Sequence, residues 1–264
     1  MALVETSGLH FRYGRHATAD RAHIPWILED INLTIEKSST LGIVGESGSG
    51  KSTLVRLLCG LLRVGTGSIE FDGRDLDDWR AKDAAGFRRQ NQIIFQSPAS
   101  SLDPRMRVGR ALSEPVRAIE KRAPSDDEIV GWLKQVGLGG EVLPRFPHQL
   151  SGGQLQRIGI ARALSLDPSV LYADEPTSSL DVSVQAQVLN LLMDLQDRLG
   201  LTLVMVSHDL AVISRMCEEI VVLKDGRVVE AGRTADVMRN PSEAYTAELV
   251  GAAKAVSLAE GVKL

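Results

Sequence analysis

The chain has 264 residues, of which 44% are hydrophobic and 24% are charged, and its formal net charge is −4 at pH 7. This length allows one large domain or two small ones around a sizeable core, and the composition is ordinary for a soluble globular protein. The charge balance argues against a general attraction to nucleic acid. No apolar run approaches the roughly 18 residues of a membrane span, so any membrane role is expected to come through a partner.

The N-terminal part alternates between strand and helix patterns. Alternating polar and apolar residues predict strands over residues 7–13 and 27–35, with a polar loop at residues 14–23 between them. Residues 40–44 form a short apolar run that is typical of a buried parallel strand. Leucines then recur at helical spacing over residues 54–62. A glycine-rich segment therefore lies between a strand and a helix.

This glycine-rich segment has the composition of a phosphate-binding loop. Its glycines let backbone N–H groups curl around a phosphate where a side chain would obstruct the turn, and the following helix points its positive dipole end at the anion. Lys51 is expected to reach the β- and γ-phosphates, and the Ser52 hydroxyl to bind Mg²⁺. A plain glycine-rich turn is the alternative, but the flanking strand and helix favour a nucleotide site. The predicted nucleotide-binding residues are Gly45, Glu46, Ser47, Gly48, Ser49, Gly50, Lys51, Ser52 and Thr53.

The middle of the chain changes character. Residues 68–71 predict a strand, and residues 92–95 predict a core strand that ends at Gln96. From residue 97 to about residue 164 no strong strand pattern appears. Ser125 and Glu128 have the spacing of a capping box ahead of an amphipathic helix. We therefore expect a helical subdomain inserted into the sheet at about residues 97–164.

A second glycine-rich helix start lies at the end of this region. Residues 150–154 place Gly152 and Gly153 where a helix begins, and the Ser151 hydroxyl can act as a donor. Such a helix N-terminus can bind an anion, although a plain helix cap is the alternative. Because the predicted insertion separates the two anion sites, one chain is not expected to apply both to the same nucleotide.

Two carboxylates follow the next predicted strand, at residues 170–173. Asp174 and Glu175 are expected at the carboxyl edge of the sheet, where doubly wound sheets bind their ligands. Asp174 suits Mg²⁺, and Glu175 suits a general base or a water-orienting group near the γ-phosphate. A solvated acidic turn is the alternative for this pair taken alone. Beyond it, the patterns predict a helix over residues 184–199, a buried strand over residues 201–206, and then a hairpin and a short terminal helix.

Taken together, these motifs resemble those of ABC-type nucleotide-binding domains. The matching positions are Tyr13, residues 45–52, Gln96, residues 150–154, Asp174, Glu175, residues 179–181 and His208. The resemblance implies an α/β fold: a P-loop NTPase core with a mainly parallel sheet, an N-terminal antiparallel β subdomain and the inserted α-helical subdomain. It assigns residues 1–240 to this domain and residues 241–264 to a short C-terminal helix and tail.

In that family two cassettes face each other head to tail, and ATP lies between the phosphate loop of one and the Ser-Gly-Gly-Gln element of the other. The resemblance implies that Tyr13 stacks on adenine, that His208 holds the γ-phosphate and that Asp181 signals across the interface. The implied catalytic residues are Glu175, His208, Lys51 and Gln96. The implied Mg²⁺ ligands are Ser52, Gln96 and Asp174. Across the dimer, ATP would meet Ser151, Gly152, Gly153, Gln154 and Asp181.

A finer resemblance connects the chain to dipeptide, oligopeptide and nickel importers, through residues 95–106, 146–149 and 180–189. It implies an ATP-hydrolysing subunit bound peripherally at the cytoplasmic face of the membrane. Its implied partners are a second ATPase subunit, identical or different, and two membrane permease subunits fed by an extracytoplasmic binding protein, with no nucleic acid. Ser97 departs from the pattern, since Asp is commoner there. The extended, Cys-containing C-terminal region of many relatives is not seen, so no iron–sulfur or zinc role is predicted.

Two other functions share the same motifs. A nucleic-acid ATPase of the repair or translation type usually carries coiled coils, zinc insertions or tandem cassettes, and it needs a basic patch that this sequence lacks. An accessory subunit of a soluble phosphonate-degrading complex has cassettes that resemble this group closely. Co-purification with membrane subunits would separate this second alternative from an importer.

Overall fold

A computed structural model of the chain describes residues 1–14, 25–96 and 102–260. Most of the predicted polar loop, together with Ser97, lies outside these residues. The chain divides into two compact units: the first contains Met1–Lys82 and Val204–Leu264, and the second contains Asp83–Leu203. None of the helices in the described ranges combines the length and the apolar character that crossing a bilayer requires.

Strands and helices alternate along most of the described chain. The strands are β1 (Ala2–Phe11), β2 (Leu28–Glu36), β3 (Thr40–Val44), β4 (Thr66–Phe71), β5 (Arg74–Asp75), β6 (Asn91–Ile94), β7 (Val170–Asp174), β8 (Thr202–Val206), β9 (Glu219–Lys224) and β10 (Arg227–Arg233). The α-helices are α1 (Lys51–Leu58), α2 (Leu76–Lys82), α3 (Ala84–Gln90), α4 (Val108–Ile119), α5 (Asp126–Gln135), α6 (Gly152–Leu164), α7 (Val182–Leu199), α8 (Leu210–Met216), α9 (Thr234–Arg239) and α10 (Ala244–Glu260).

An antiparallel sheet in the first unit has the strand order β2-β1-β4-β5. Strand β1 begins at Ala2, five residues before the predicted start. Leu3 and Val4 are adjacent and both buried. The pairing register with β2 shifts between Ala2 and Val4, between Thr6 and Leu9 and between Leu9 and Phe11, so the simple alternation that predicts a strand is interrupted along β1. The predicted strand also extended to Tyr13, whereas β1 ends at Phe11.

A mixed sheet in the first unit supports the phosphate loop. Strand β3 pairs in parallel with β9, matching Leu41 to Glu219 and Val44 to Val222, and β9 pairs in antiparallel fashion with β10. All five residues of β3 are buried, as are all five of β8. Helix α1 buries its leucines and ends at Leu58, so Leu61 at the end of the predicted stripe is 56% exposed.

The second unit combines a parallel strand pair with helices. Strands β6 and β7 pair from Asn91 and Val170 to Ile94 and Ala173. Helix α6 packs against α4, α5 and α7 and against β6. The predicted capping box of α5 is confirmed: the Ser125 hydroxyl accepts from the Glu128 N–H at 3.2 Å, and the Glu128 carboxylate accepts from the Ser125 N–H at 2.8 Å. These hydrogen bonds, and those from Arg122, hold the pKa of Glu128 below its usual value.

Candidate functional site

The phosphate loop follows β3 directly, and its glycines are required by its shape. Gly45 and Gly50 have φ values of 149° and 104°. A Cβ atom on Gly45 would lie 2.0 Å from the Leu223 carbonyl oxygen, and one on Gly50 would lie 2.8 Å from the Leu28 side chain. Gly48 has a φ of 86° but open space around it. Close approach to the Leu223 backbone therefore requires glycine at position 45, and the positive φ favours glycine at all three positions.

Lys51 is the first residue of α1, and the phosphate loop surrounds its side chain. Its ammonium group donates to the carbonyl oxygens of Gly45 at 2.8 Å and Glu46 at 2.7 Å, and the residue is only 6% exposed. The Ser49 N–H also donates to the Glu46 carbonyl, at 3.2 Å. The loop thus holds a buried cation at the start of a helix, which is an arrangement suited to a phosphate group.

The Ser49 hydroxyl supplies an independent test of whether a phosphate fits. Its oxygen is buried and has no hydrogen-bond partner among the described residues. Leaving such a group unsatisfied costs about 1–3 kcal/mol, so a ligand that supplied a partner would recover part of that free energy. Gly50 precedes α1 and makes no side-chain hydrogen bond to the start of the helix, whose positive dipole end attracts an anion. The residues present therefore fit a nucleotide phosphate.

Two other predicted residues of the first unit lie on loops. The Tyr13 hydroxyl lies 3.2 Å from the Thr53 hydroxyl, and its ring meets Phe11 edge to face at 4.9 Å between centroids. Tyr13 is 47% exposed, so part of its ring is open to a ligand. His208 is exposed in the turn between β8 and α8, beside Asp209, whose carboxylate caps α8 through the Ala211 N–H at 2.8 Å.

The structure brings Gln96 and Glu175 together in the second unit. Asp174 ends β7 and is 4% exposed, and Glu175 follows it with a φ of 47°. The Gln96 side-chain N–H donates to the Glu175 carboxylate at 2.8 Å. A left-handed backbone costs a non-glycine residue about 1–2 kcal/mol. The turn that follows stabilises it, since the Ser178 N–H donates to the Glu175 carbonyl at 3.3 Å. The turn therefore presents the Glu175 carboxylate at the end of a buried strand.

The second glycine-rich helix start is a capping box. The Ser151 hydroxyl accepts from the Gln154 N–H at 3.2 Å, and the Gln154 side-chain oxygen accepts from the Ser151 N–H at 3.1 Å. The plain helix cap, an alternative for this segment, is thus present, and the Ser151 hydroxyl keeps a proton that it can donate. A Cβ on Gly153 would lie 2.6 Å from the Val184 side chain. A larger residue at that position would therefore force the Val184 side chain, at the start of α7, to move.

Asp181 caps α7. Its carboxylate accepts from the Ser183 hydroxyl at 2.7 Å and from the Val184 N–H at 3.0 Å. These two hydrogen bonds, that of Ser183 foremost, hold the pKa of Asp181 below its usual value. The helix cap accounts for an Asp at this position within the chain. A role for Asp181 across a dimer stays a prediction.

One contact of the phosphate loop has no counterpart in the predicted site. The Tyr245 hydroxyl accepts a hydrogen bond from the Glu46 N–H at 2.9 Å, across 199 residues of sequence. Neither spacing nor composition carries a signal for such a contact.

Comparison with known proteins agrees with this geometry. Residues 28–178 match the family described as ABC transporter. A probable peptide ABC transporter ATP-binding protein of Sinorhizobium fredii is 41% identical over 256 residues, which cover 96% of this chain and 72% of that protein. A dipeptide transport ATP-binding protein of Haemophilus influenzae is 44% identical over 232 residues, which cover 87% of this chain and 71% of that protein.

Solved structures give the same result for the fold. The ATP-binding cassette MJ0796, in a dimeric post-hydrolysis state bound to ADP and Pi, superposes with a TM-score of 0.76 at 30% identity, covering 88% of this chain and 99% of that one. The cbiO1 protein of Clostridium perfringens, part of the ABC transporter complex cbiONQ, gives a TM-score of 0.77 at 29% identity, covering 90% and 91%. The predicted α/β cassette fold is therefore confirmed.

Proposed function

Since this chain belongs to the ABC transporter family and is an ATP-hydrolysing subunit, we propose that it powers an importer of the peptide/nickel type and that its cargo is a peptide. The names of relatives that are 41% and 44% identical to it over the aligned residues support a peptide cargo. The same relatives favour a transporter over the soluble phosphonate complex and over a nucleic-acid ATPase.

The phosphate loop would bind the triphosphate. Lys51 would exchange the carbonyl oxygens of Gly45 and Glu46 for β- and γ-phosphate oxygens, which are stronger acceptors because they are charged. The loop N–H groups and the Ser49 hydroxyl would complete the cradle, and Tyr13 would stack on the adenine. Ser52, Gln96 and Asp174 would hold Mg²⁺, which when bound offsets negative charge on the phosphates.

Catalysis of hydrolysis would come from positioning the attacking water and from stabilising the charge of the transition state. Glu175 would orient the attacking water and accept its proton, and Gln96 is already hydrogen-bonded to that carboxylate. His208 would contact the γ-phosphate, and the charge of Lys51 would stabilise the transition state. A facing cassette would close the site with its own residues at 151–154 and 181. The dimeric state of the MJ0796 cassette supports this arrangement.

The proposed assembly contains a second ATPase subunit, identical or different, and two membrane permease subunits. An extracytoplasmic binding protein would deliver the cargo to the permeases. This chain would sit peripherally at the cytoplasmic face of the membrane, because its relatives are named as ATP-binding proteins of peptide and dipeptide transport.

The single observation that carries the catalytic proposal is the Glu175 carboxylate, presented by a left-handed turn at the end of β7 and held by Gln96. In the Glu175→Gln variant, ATP affinity should be retained and turnover should fall roughly 100-fold or more, because the base is lost. Glu114→Gln in the same unit, which loses only the charge of a part-buried contact with Arg162, is the matched control and should keep full turnover. Unchanged turnover in Glu175→Gln would refute the assigned role.

The cargo and the partners need a separate experiment. The tagged protein should be purified from gently solubilised membranes, and its companions identified. Recovery of two permease subunits, with ATPase activity stimulated by peptide-loaded binding protein, is the expected result. Recovery of a soluble assembly without permeases, or retention of nucleic acid on a filter at low salt, would reject the importer.

A further inference from the structure

Helix α10 reaches the phosphate loop through its second residue. Tyr245 is 7% exposed, and its hydroxyl oxygen accepts the Glu46 N–H at 2.9 Å. Glu46 itself is exposed and follows the first glycine of the loop. The hydrogen bond therefore joins the C-terminal helix to the backbone of the loop.

The peptide group between Gly45 and Glu46 is held at both of its ends. Its carbonyl oxygen, on Gly45, accepts from the Lys51 ammonium at 2.8 Å, and its N–H, on Glu46, donates to Tyr245. Because a peptide group is planar, fixing the N–H also fixes the direction of the carbonyl. Tyr245 thus controls the orientation of an oxygen that positions Lys51.

Tyr245 is itself fixed by the hairpin of β9 and β10. The Lys224 ammonium lies 4.5 Å from the centroid of the Tyr245 ring. Glu230 caps the start of α10, accepting from the Ser242 N–H at 2.8 Å and from the Glu243 N–H at 3.2 Å. Burial raises the pKa of Glu230, but these hydrogen bonds outweigh it, and the net shift is downward. The cap is therefore a carboxylate at neutral pH.

The Tyr245 hydroxyl is a neutral group in this environment. Burial is the main cause that raises its pKa, and the carboxylates of Glu46, Asp225 and Glu248 add to it. A neutral phenol oxygen accepts one backbone N–H readily and keeps its own proton.

We propose that Tyr245 is a positioning residue for nucleotide binding: its hydroxyl holds the peptide group between Gly45 and Glu46 so that Lys51 and the loop N–H groups are preorganised for the phosphates. Tyr245 acts through Glu46 and does not touch the nucleotide. The inference rests on the proposed function in one respect, since it takes the loop to be the nucleotide site.

Tyr245→Phe is the decisive variant because it keeps the ring and its contact with Lys224. It removes only the hydroxyl group, whose oxygen accepts the Glu46 N–H. Hydrogen exchange of a peptide that contains the Glu46 amide should be faster in the folded variant, with or without nucleotide. The Kd for Mg-ATP and for ADP should rise about three- to tenfold, the range set by the net worth of one hydrogen bond. The KM for ATP should rise similarly, and kcat at saturating ATP should stay within about twofold of the wild type.

Val250→Ala is the matched control. Val250 lies farther along α10 and is 3% exposed, so this substitution also removes buried atoms from the same helix. Even if its melting temperature falls as far as that of Tyr245→Phe, nucleotide affinity and exchange at Glu46 should match the wild type. Equal effects of the two variants on nucleotide affinity, or wild-type exchange at Glu46 in Tyr245→Phe, would overturn the proposal. If the wild-type chain fails to bind Mg-ATP, the proposed function fails instead, and the exchange measurement still decides whether Tyr245 holds the loop.

Discussion

The N-termini of α1 and α6 are both glycine-rich, and both are predicted anion sites, but they are built in opposite ways. Before α1, Gly50 makes no side-chain cap, and the Lys51 ammonium is hydrogen-bonded to the Gly45 carbonyl of the loop. At α6, the Ser151 hydroxyl and the Gln154 amide satisfy each other's backbone N–H groups within the chain. The first site has no side-chain cap, and the second has a capping box.

This difference bears on how each site can work. A helix start with no side-chain cap and a buried lysine can bind a phosphate directly, because the helix dipole and the ammonium both attract an anion. A capped helix start is stable without a ligand, and it can offer the remaining hydroxyl proton of Ser151 and the N–H groups of Gly152 and Gly153. The α1 site is therefore suited to holding the nucleotide within one chain, and the α6 site to completing a nucleotide held by another.

The largest effect is expected from a substitution in the loop before α1, the site without a side-chain cap. In Gly45→Ala the new methyl group would clash with the Leu223 carbonyl at 2.0 Å. We expect a loss of about 3 kcal/mol in the free energy of unfolding, from combined strain and overpacking. ATP turnover should fall roughly 100-fold, because a displacement of about 1 Å misplaces the phosphates. Urea unfolding and a steady-state ATPase assay measure the two quantities.

Gly48→Ala separates the clash from the backbone conformation. Gly48 has a left-handed φ of 86° but nothing within 4 Å of its Cβ position. The free energy of unfolding should therefore fall by only about 1–2 kcal/mol, the cost of the left-handed backbone. Equal losses in the two variants would show that close approach to Leu223 is not what requires glycine at Gly45.

A smaller and more selective effect is expected at the capped site. Ser151→Ala removes the acceptor for the Gln154 N–H and should lower the free energy of unfolding by about 1 kcal/mol. Nucleotide affinity of the isolated chain should not change, since its own α1 site is intact. ATP turnover of the assembled cassettes should fall roughly tenfold or more, the cost of one lost hydrogen bond to a charged group. An equal loss of nucleotide affinity in the isolated chain would contradict the division of labour between the two sites.

The sequence predicts the parts of this comparison that are local. Strand β3 begins and ends where the apolar run does, because a buried parallel strand leaves a continuous apolar segment. The Ser125–Glu128 capping box was also predictable, because its two partners are only three residues apart in the sequence. The helices α2, α3 and α8 were not predicted, because seven residues span only two turns and give little periodicity.

Contacts between residues that are far apart in the sequence could not be predicted from it. The Glu46–Tyr245 hydrogen bond spans 199 residues, and the Gln96–Glu175 hydrogen bond spans 79. The left-handed φ of Glu175 was also not predicted, since Glu has no preference for that conformation and the turn at Ser178 imposes it. The phosphate loop and the carboxylates can be identified from the types and the order of their residues. The contacts that hold them in place are visible only in the fold.

The smallest effect is expected at a third helix N-terminus, that of α7, where the cap is a charged group. Hydrogen bonds from Ser183 and Val184 hold the pKa of Asp181 below its usual value, so its ionised form contributes stability above the unfolded-state pKa of about 3.9. That contribution is lost as the pH falls through the lowered folded-state pKa. Asp181→Asn keeps a capping oxygen without the charge, so its melting temperature should be slightly below that of the wild type at pH 7. The difference should shrink as the pH falls below about 4, and melting curves of both proteins from neutral pH down to about pH 3 would measure it. A difference that stays constant over this range would show that the charge of Asp181 contributes nothing, and that its cap resembles the uncharged one at Ser151.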